Sequence, residues 1–221
     1  MLYALEDPPS FVLLLLAFVL WITLMGWLSA LAAARAGWPG VRQERRTAPD
    51  PRRQVDPFGA VSGAISGLGW SRPLEPGGRR GGGVARVVLL GPLVVLALGL
   101  GLLAVHGVVY GPIGGASAVF VQRGVPVADL AQRALLLFGL SATYSAALCL
   151  VPLPPLPGGQ VLFALAPRTA GWQKAELQLV ERNIGTAVLL ALLLIPLGSP
   201  QALLPTVLDS LLSPLVRLLG G

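Results

Sequence analysis

The sequence predicts an all-α, polytopic membrane protein, a single membrane domain over residues 1–221. It should have about four transmembrane helices, a re-entrant or interfacial segment and a C-terminal apolar helix. Three observations predict this. Of 221 residues, 54% are hydrophobic and only 12% are charged, about half the ~25% with which soluble domains meet water. The mean hydropathy is +0.75. The charges are also segregated: Asp, Glu, Lys and Arg are absent from residues 8–34, 87–122, 134–167 and 183–208. A bilayer core of ~30 Å takes about 20 helical residues, so each window can supply one span.

The first helix is expected over 11–36. Ser10 reads as its N-cap and Gly37 as its stop. Glu6 and Asp7 precede this run, whereas a signal peptide carries a positive n-region and a shorter apolar core; the run reads as a retained span. Residues 37–83 form a basic loop with eight arginines, from Arg42 to Arg80, and Arg86 just beyond it. Within it, 58–70 is apolar and glycine-rich but too short to cross, which predicts a re-entrant or interfacial segment shielded by protein. Pro76 to Gly83 reads as a flexible linker.

The second helix is expected over 84–109, ended by Gly111-Pro112 and Gly114-Gly115, with a loop to Ala128. The third is expected over 127–151. A Pro/Gly-rich loop follows over 152–182, with a short amphipathic helix at Gln173 to Arg182. The fourth helix is expected over 184–197, closed by Pro196, Gly198 and Pro200. The last apolar helix, 203–219, is interrupted by Pro205 and Pro214. The positive-inside tendency assigns the two Arg/Lys-rich stretches to the cytoplasm and the N-terminus to the outside of a cell membrane.

The net charge of +6 does not imply nucleic acid, because the basic residues lie in a loop between hydrophobic helices, where they report topology and anionic lipid. The lone Cys149 excludes an intrachain disulfide and reads as a small buried apolar group. His106 reads as an interfacial, solvated side chain. No ionisable residue is expected in the middle of any span, which argues against an ion-coupled transporter.

Five landmarks occur in order along the chain. They are Ala32-Ala33-Ala34-Arg35-Ala36-Gly37 ending the first helix, Asp56-Pro57-Phe58-Gly59, Gly69-Trp70-Ser71-Arg72-Pro73, Leu90-Gly91-Pro92-Leu93, and the run from Leu150 through Pro152-Leu153-Pro154-Pro155-Leu156-Pro157-Gly158-Gly159 to Leu162. In this arrangement the chain resembles the compact bacterial site-2 proteases, the intramembrane zinc metalloproteases. That family uses H-E-x-x-H on its first helix, two His on one helical face holding zinc and a Glu activating its water, with a third ligand from the Asp of L-D-G.

On this resemblance the zinc motif falls on Met25-Gly26-Trp27-Leu28-Ser29. Met25 and Ser29 replace the histidines, Gly26 the glutamate, Pro157 the ligand aspartate and Cys149 the asparagine preceding that motif; Val95 replaces the family's asparagine after the element matched by Leu90-Gly91-Pro92-Leu93. One histidine in the whole chain, His106, cannot restore a two-His motif in any register. Thioether and hydroxyl groups do not replace imidazole for zinc, and Ser29 has no base in its span.

The resemblance therefore implies a catalytically inactive scaffold with no metal or other cofactor. Its partners would be the lipid bilayer and a transmembrane protein or peptide, with Pro152, Pro154, Pro155, Leu156 and Gly158 as cleft wall. Two alternatives stay open: a working protease borrowing ligands from a partner chain, and a structural membrane assembly factor without a cleft.

Overall fold

Long charge-free runs become long helices because, in lipid, the backbone must satisfy its own hydrogen bonds. The computed structural model describes residues 2–111, 118–125, 129–196 and 202–220. Its three longest helices are α1 (Pro8–Arg35), α4 (Gly82–Tyr110) and α6 (Leu130–Leu150), each long and apolar enough to cross a membrane. Around them lie α2 (Pro51–Gln54), α3 (Pro57–Ser66), α5 (Ala118–Arg123), α7 (Pro157–Leu165), α8 (Ala170–Glu176), α9 (Ile184–Leu194) and α10 (Leu203–Gly220). The protein is an all-α helical membrane protein.

The helix α6 is the least apolar of the three, with mean hydropathy 1.5 against 2.5 and 2.7, and is also the most enclosed, 67% of its window being buried. A helix surrounded by protein does not need a lipid-compatible surface, which is why α6 can carry Ser141, Thr143, Tyr144 and Ser145, all buried. The outer faces of α1 and α4 stay apolar and exposed, as at Leu16 and Leu93.

The expected re-entrant element is a hairpin of helix and extended chain. Asp56 caps α3 through the Gly59 N–H at 2.9 Å, and Pro57 occupies its first turn. The helix ends at Gly67, in the left-handed region at φ 78°, where a Cβ would collide with the Val121 carbonyl of α5. The chain then returns beside α3, so close that a Cβ on Gly59 would strike the Trp70 carbonyl. At the turn, Ser62 Oγ–H donates to the Leu68 carbonyl at 2.8 Å and Ser66 Oγ accepts from the Leu68 N–H at 3.2 Å. Those hydroxyls satisfy backbone that would otherwise be unpaired among apolar groups.

Several boundaries differ from expectation. Asp7, not Ser10, is the N-cap of α1, since Pro8 and Pro9 fit its first turn. The expected loop of residues 111–128 contains α5, and the expected loop of 152–182 contains α7, whose first position is Pro157. The fourth span is not one straight helix: the segment Ala170–Glu181, which ends in a π turn (Leu177–Glu181), meets α9 at a bend of 66°. Alone, the 11 residues of α9 reach only ~17 Å. The helix α10 runs unbroken through Pro214.

His106 is buried, 2% exposed, rather than solvated, with its ring 5.5 Å from that of Tyr110. An ionisable residue does enter the bundle: Asp209 of α10 accepts a hydrogen bond from the hydroxyl of buried Tyr144 at 2.5 Å. The expected helix stops at Pro112, Gly114, Gly115, Gly198 and Pro200, the start at Val127 and the end at Leu197 lie outside the described residues.

Candidate functional site

Three of the positions singled out by sequence meet in space. Gly26 and Ser29 of α1 and Pro157 of α7 line one cavity of about 10 Å³, together with Ser71 to Leu74, Val88 and Gln160. Helix crossing produces this meeting. Gly91 of α4 sits against α1 so closely that a Cβ there would overlap the Met25 carbonyl; small residues permit such approach between membrane helices. Pro92 follows. Having no N–H, it leaves the carbonyl of Val88, four residues earlier, without its helical donor. Ser29 Oγ–H supplies that donor at 3.1 Å and accepts from the Gly91 N–H at 3.2 Å.

Gly26 is a second close approach. A Cβ there would lie 2.8 Å from Gln54 Oε1 and 3.1 Å from the Ser71 Cβ. Gln54 is fully buried, and its Nε2 donates to the carbonyls of Arg46 at 2.6 Å and Ala48 at 3.2 Å. The space a side chain at position 26 would need is thus filled by the loop. Arg46, a residue only 3% exposed, holds the next layer: its guanidinium donates to the carbonyls of Pro73 at 2.9 Å and Arg72 at 2.6 Å. Burial pulls the pKa of Arg46 below its ordinary value; Arg72 acts in the same direction, whereas Glu44 and Glu75 oppose it.

These residues do not fit zinc. The cavity is about the size of one water molecule. Gly26 and Pro157 offer no donor atom, and the single hydroxyl of Ser29 has both its proton and an acceptor site engaged by backbone. Among the described residues no three His, Cys, Asp or Glu side chains converge. Met25 is fully buried in the hydrophobic core, as are Val95 and Cys149, and none of the three lines a cavity described here.

Beside this small cavity lies a larger cleft of about 440 Å³. The two share Pro73, Leu74 and Gln160, and Gln160 Nε2 donates to the Leu74 carbonyl at 2.9 Å. Of the five expected wall residues, Pro154 and Pro155 line the cleft. The other three do not. Pro152 is exposed elsewhere, Leu156 is fully buried in the core, and Gly158 is pressed against the carbonyls of Leu150 and Val151. The part of the proline run that faces the cleft is thus the consecutive pair Pro154 and Pro155.

The remaining walls are Phe163, Leu179, Val180 and Thr186, with the linker around Arg79 and Arg80. Arg80 donates to Glu176 Oε2 at 2.7 Å and to the Ala166 carbonyl at 3.2 Å. Sequence reasoning did not single out Gln54, Arg46 or Glu176. No local signal separates them from other loop residues, because their partners lie on distant segments.

The fold and site together define a multi-pass helical membrane protein with a small, close-packed helix junction next to a larger, largely apolar cleft. No protein-family model, curated protein or solved structure matches the chain.

Proposed function

We propose that this chain is a catalytically inert, site-2 protease-like protein of the cell membrane that holds a segment of a membrane partner in its cleft without cutting it. The observation that carries the reading is the convergence of Gly26, Ser29 and Pro157 on one cavity that adjoins the cleft. These are the positions at which the resemblance would put metal ligands and base, and they come from two helices far apart in sequence. The basic loops favour an orientation with the N-terminus outside and the cleft at the cytoplasmic face.

The cleft, about 440 Å³, would hold a few residues of an extended juxtamembrane segment, with apolar side chains against Pro154, Pro155 and Phe163.

The test is site-specific photocrosslinking in cells. A photoreactive residue at Leu179, in the cleft, should capture a membrane protein through an uncut segment identified by mass spectrometry; one at Leu16, on the exposed face of α1, should not. Capture from Leu16 alone would favour an assembly factor. Stoichiometric zinc in the purified chain, with peptide cleavage lost on chelation, would overturn the inert reading.

A further inference from the structure

We infer that the Arg80–Glu176 ion pair is a latch that controls access to the cleft; the inference rests on the peptide-holding reading above. The pair joins two walls that are 96 residues apart in sequence, both lining the cleft. Each wall is weakly tied to the rest of the molecule.

On one side, Arg80 lies in the glycine linker. Gly77, Gly78 and Gly81 hold left-handed φ of 59°, 77° and 85°, which other residues rarely adopt. A Cβ added at Gly78, Gly81, Gly82 or Gly83 would meet nothing within 4 Å. Only the Pro39 ring lies close, beside Gly77, and the other tethers of this stretch are polar. Arg79 Nη2 donates to the Gly37 carbonyl at 2.9 Å, Gly81 N–H donates to the Ala164 carbonyl at 2.9 Å, and Arg80 bridges to Ala166 and Glu176.

On the other side, neither α8 nor the π turn that extends it has a buried residue. The edge-to-face contact of Trp172 with Phe163, 6.0 Å between centroids, ties α8 to α7. The chain then turns at Asn183, in the left-handed region at φ 55°, and bends by 66° into α9. Elements with few buried contacts open at low free energy. Between two such walls, one charge-assisted contact carries a large share of closure. The side chains of Arg80 and Glu176 are 28% and 39% exposed, so water and salt compete for the pair. It therefore acts as a reversible latch and not as a lock.

Pulsed electron resonance on the full chain in nanodiscs tests this. Spin labels are placed at Gly82→Cys, where an added side chain meets nothing and φ is not positive, and Gln173→Cys in a Cys149→Ala background, which removes the single native cysteine. Glu176→Gln and Arg80→Gln should each raise the long-distance population roughly two- to fivefold. The double exchange Arg80→Glu with Glu176→Arg should bring it back, and 1 M salt should act on the unexchanged protein as the single substitutions do. Crosslinking yield from Leu179 should rise with the open population. Label distances unchanged in both single variants would overturn the latch and leave capture at Leu179 as the separate test of the cleft. Distances that open while an otherwise efficient capture stays constant would overturn the control of access.

Discussion

Ser29 shows how one side chain can serve the backbone of a neighbouring helix. Its hydroxyl serves a carbonyl that Pro92 orphans, so the two residues should be energetically coupled. Ser29→Ala is expected to destabilise the protein by about 1–2 kcal/mol, measured by unfolding in detergent. In a Pro92→Ala background, Val88 regains a helical donor and the same substitution should cost less by about 1 kcal/mol. Additive effects would show that Ser29 does not serve this carbonyl. Arg46 makes a second residue-scale case. Arg46→Met would leave the carbonyls of Arg72 and Pro73 without their buried donor, a loss of about 1–3 kcal/mol. Hydrogen exchange should quicken over residues 70–76. Uniform loss of protection across the molecule, with nothing local, would contradict that role.

Among the elements, the α3 hairpin depends most on single positions. Gly67 combines positive φ with contact against Val121, and a non-glycine residue in that conformation costs on the order of 1–3 kcal/mol before any clash. Gly67→Val should therefore open the hairpin. Amide hydrogen exchange over residues 59–70 should quicken in the variant, and exchange there equal to that of the parent would refute the prediction.

This hairpin was half legible in the sequence. The apolar run too short to span announced something re-entrant, and Asp56-Pro57 and Gly67 are cap signals for a helix. The return strand had no such signal: its pairing with α3 rests on the contact of Gly59 with Trp70. The helix α7 was missed because Pro157-Gly158-Gly159 reads as a turn, although proline suits a first helical position. His106 was misplaced because proximity to a helix end does not say which face a side chain occupies.

At the scale of the whole molecule, α10 closes the bundle. Leu204, Leu208 and Val216 are buried on one face while Leu211 and Leu218 remain exposed on another, and Asp209 meets Tyr144 of the central helix. Tyr144→Phe should loosen this docking by about 1–2 kcal/mol, seen as faster exchange in α10 with α4 and α6 unchanged; α10 protection equal to that of the parent would show that packing alone holds it.

Membrane residence, helical class and the absence of a histidine pair follow from residue content and charge placement by themselves, because transfer into lipid and metal affinity depend first on which groups a chain possesses. Only the tertiary structure decided that Gly26, Ser29 and Pro157 share a small cavity, that Pro154 and Pro155 but not Leu156 face a cleft, and that Arg80 reaches Glu176. Those pairings depend on where helices cross and which face each presents. Crossing geometry is set by close packing between segments far apart in the chain, which local pattern does not encode.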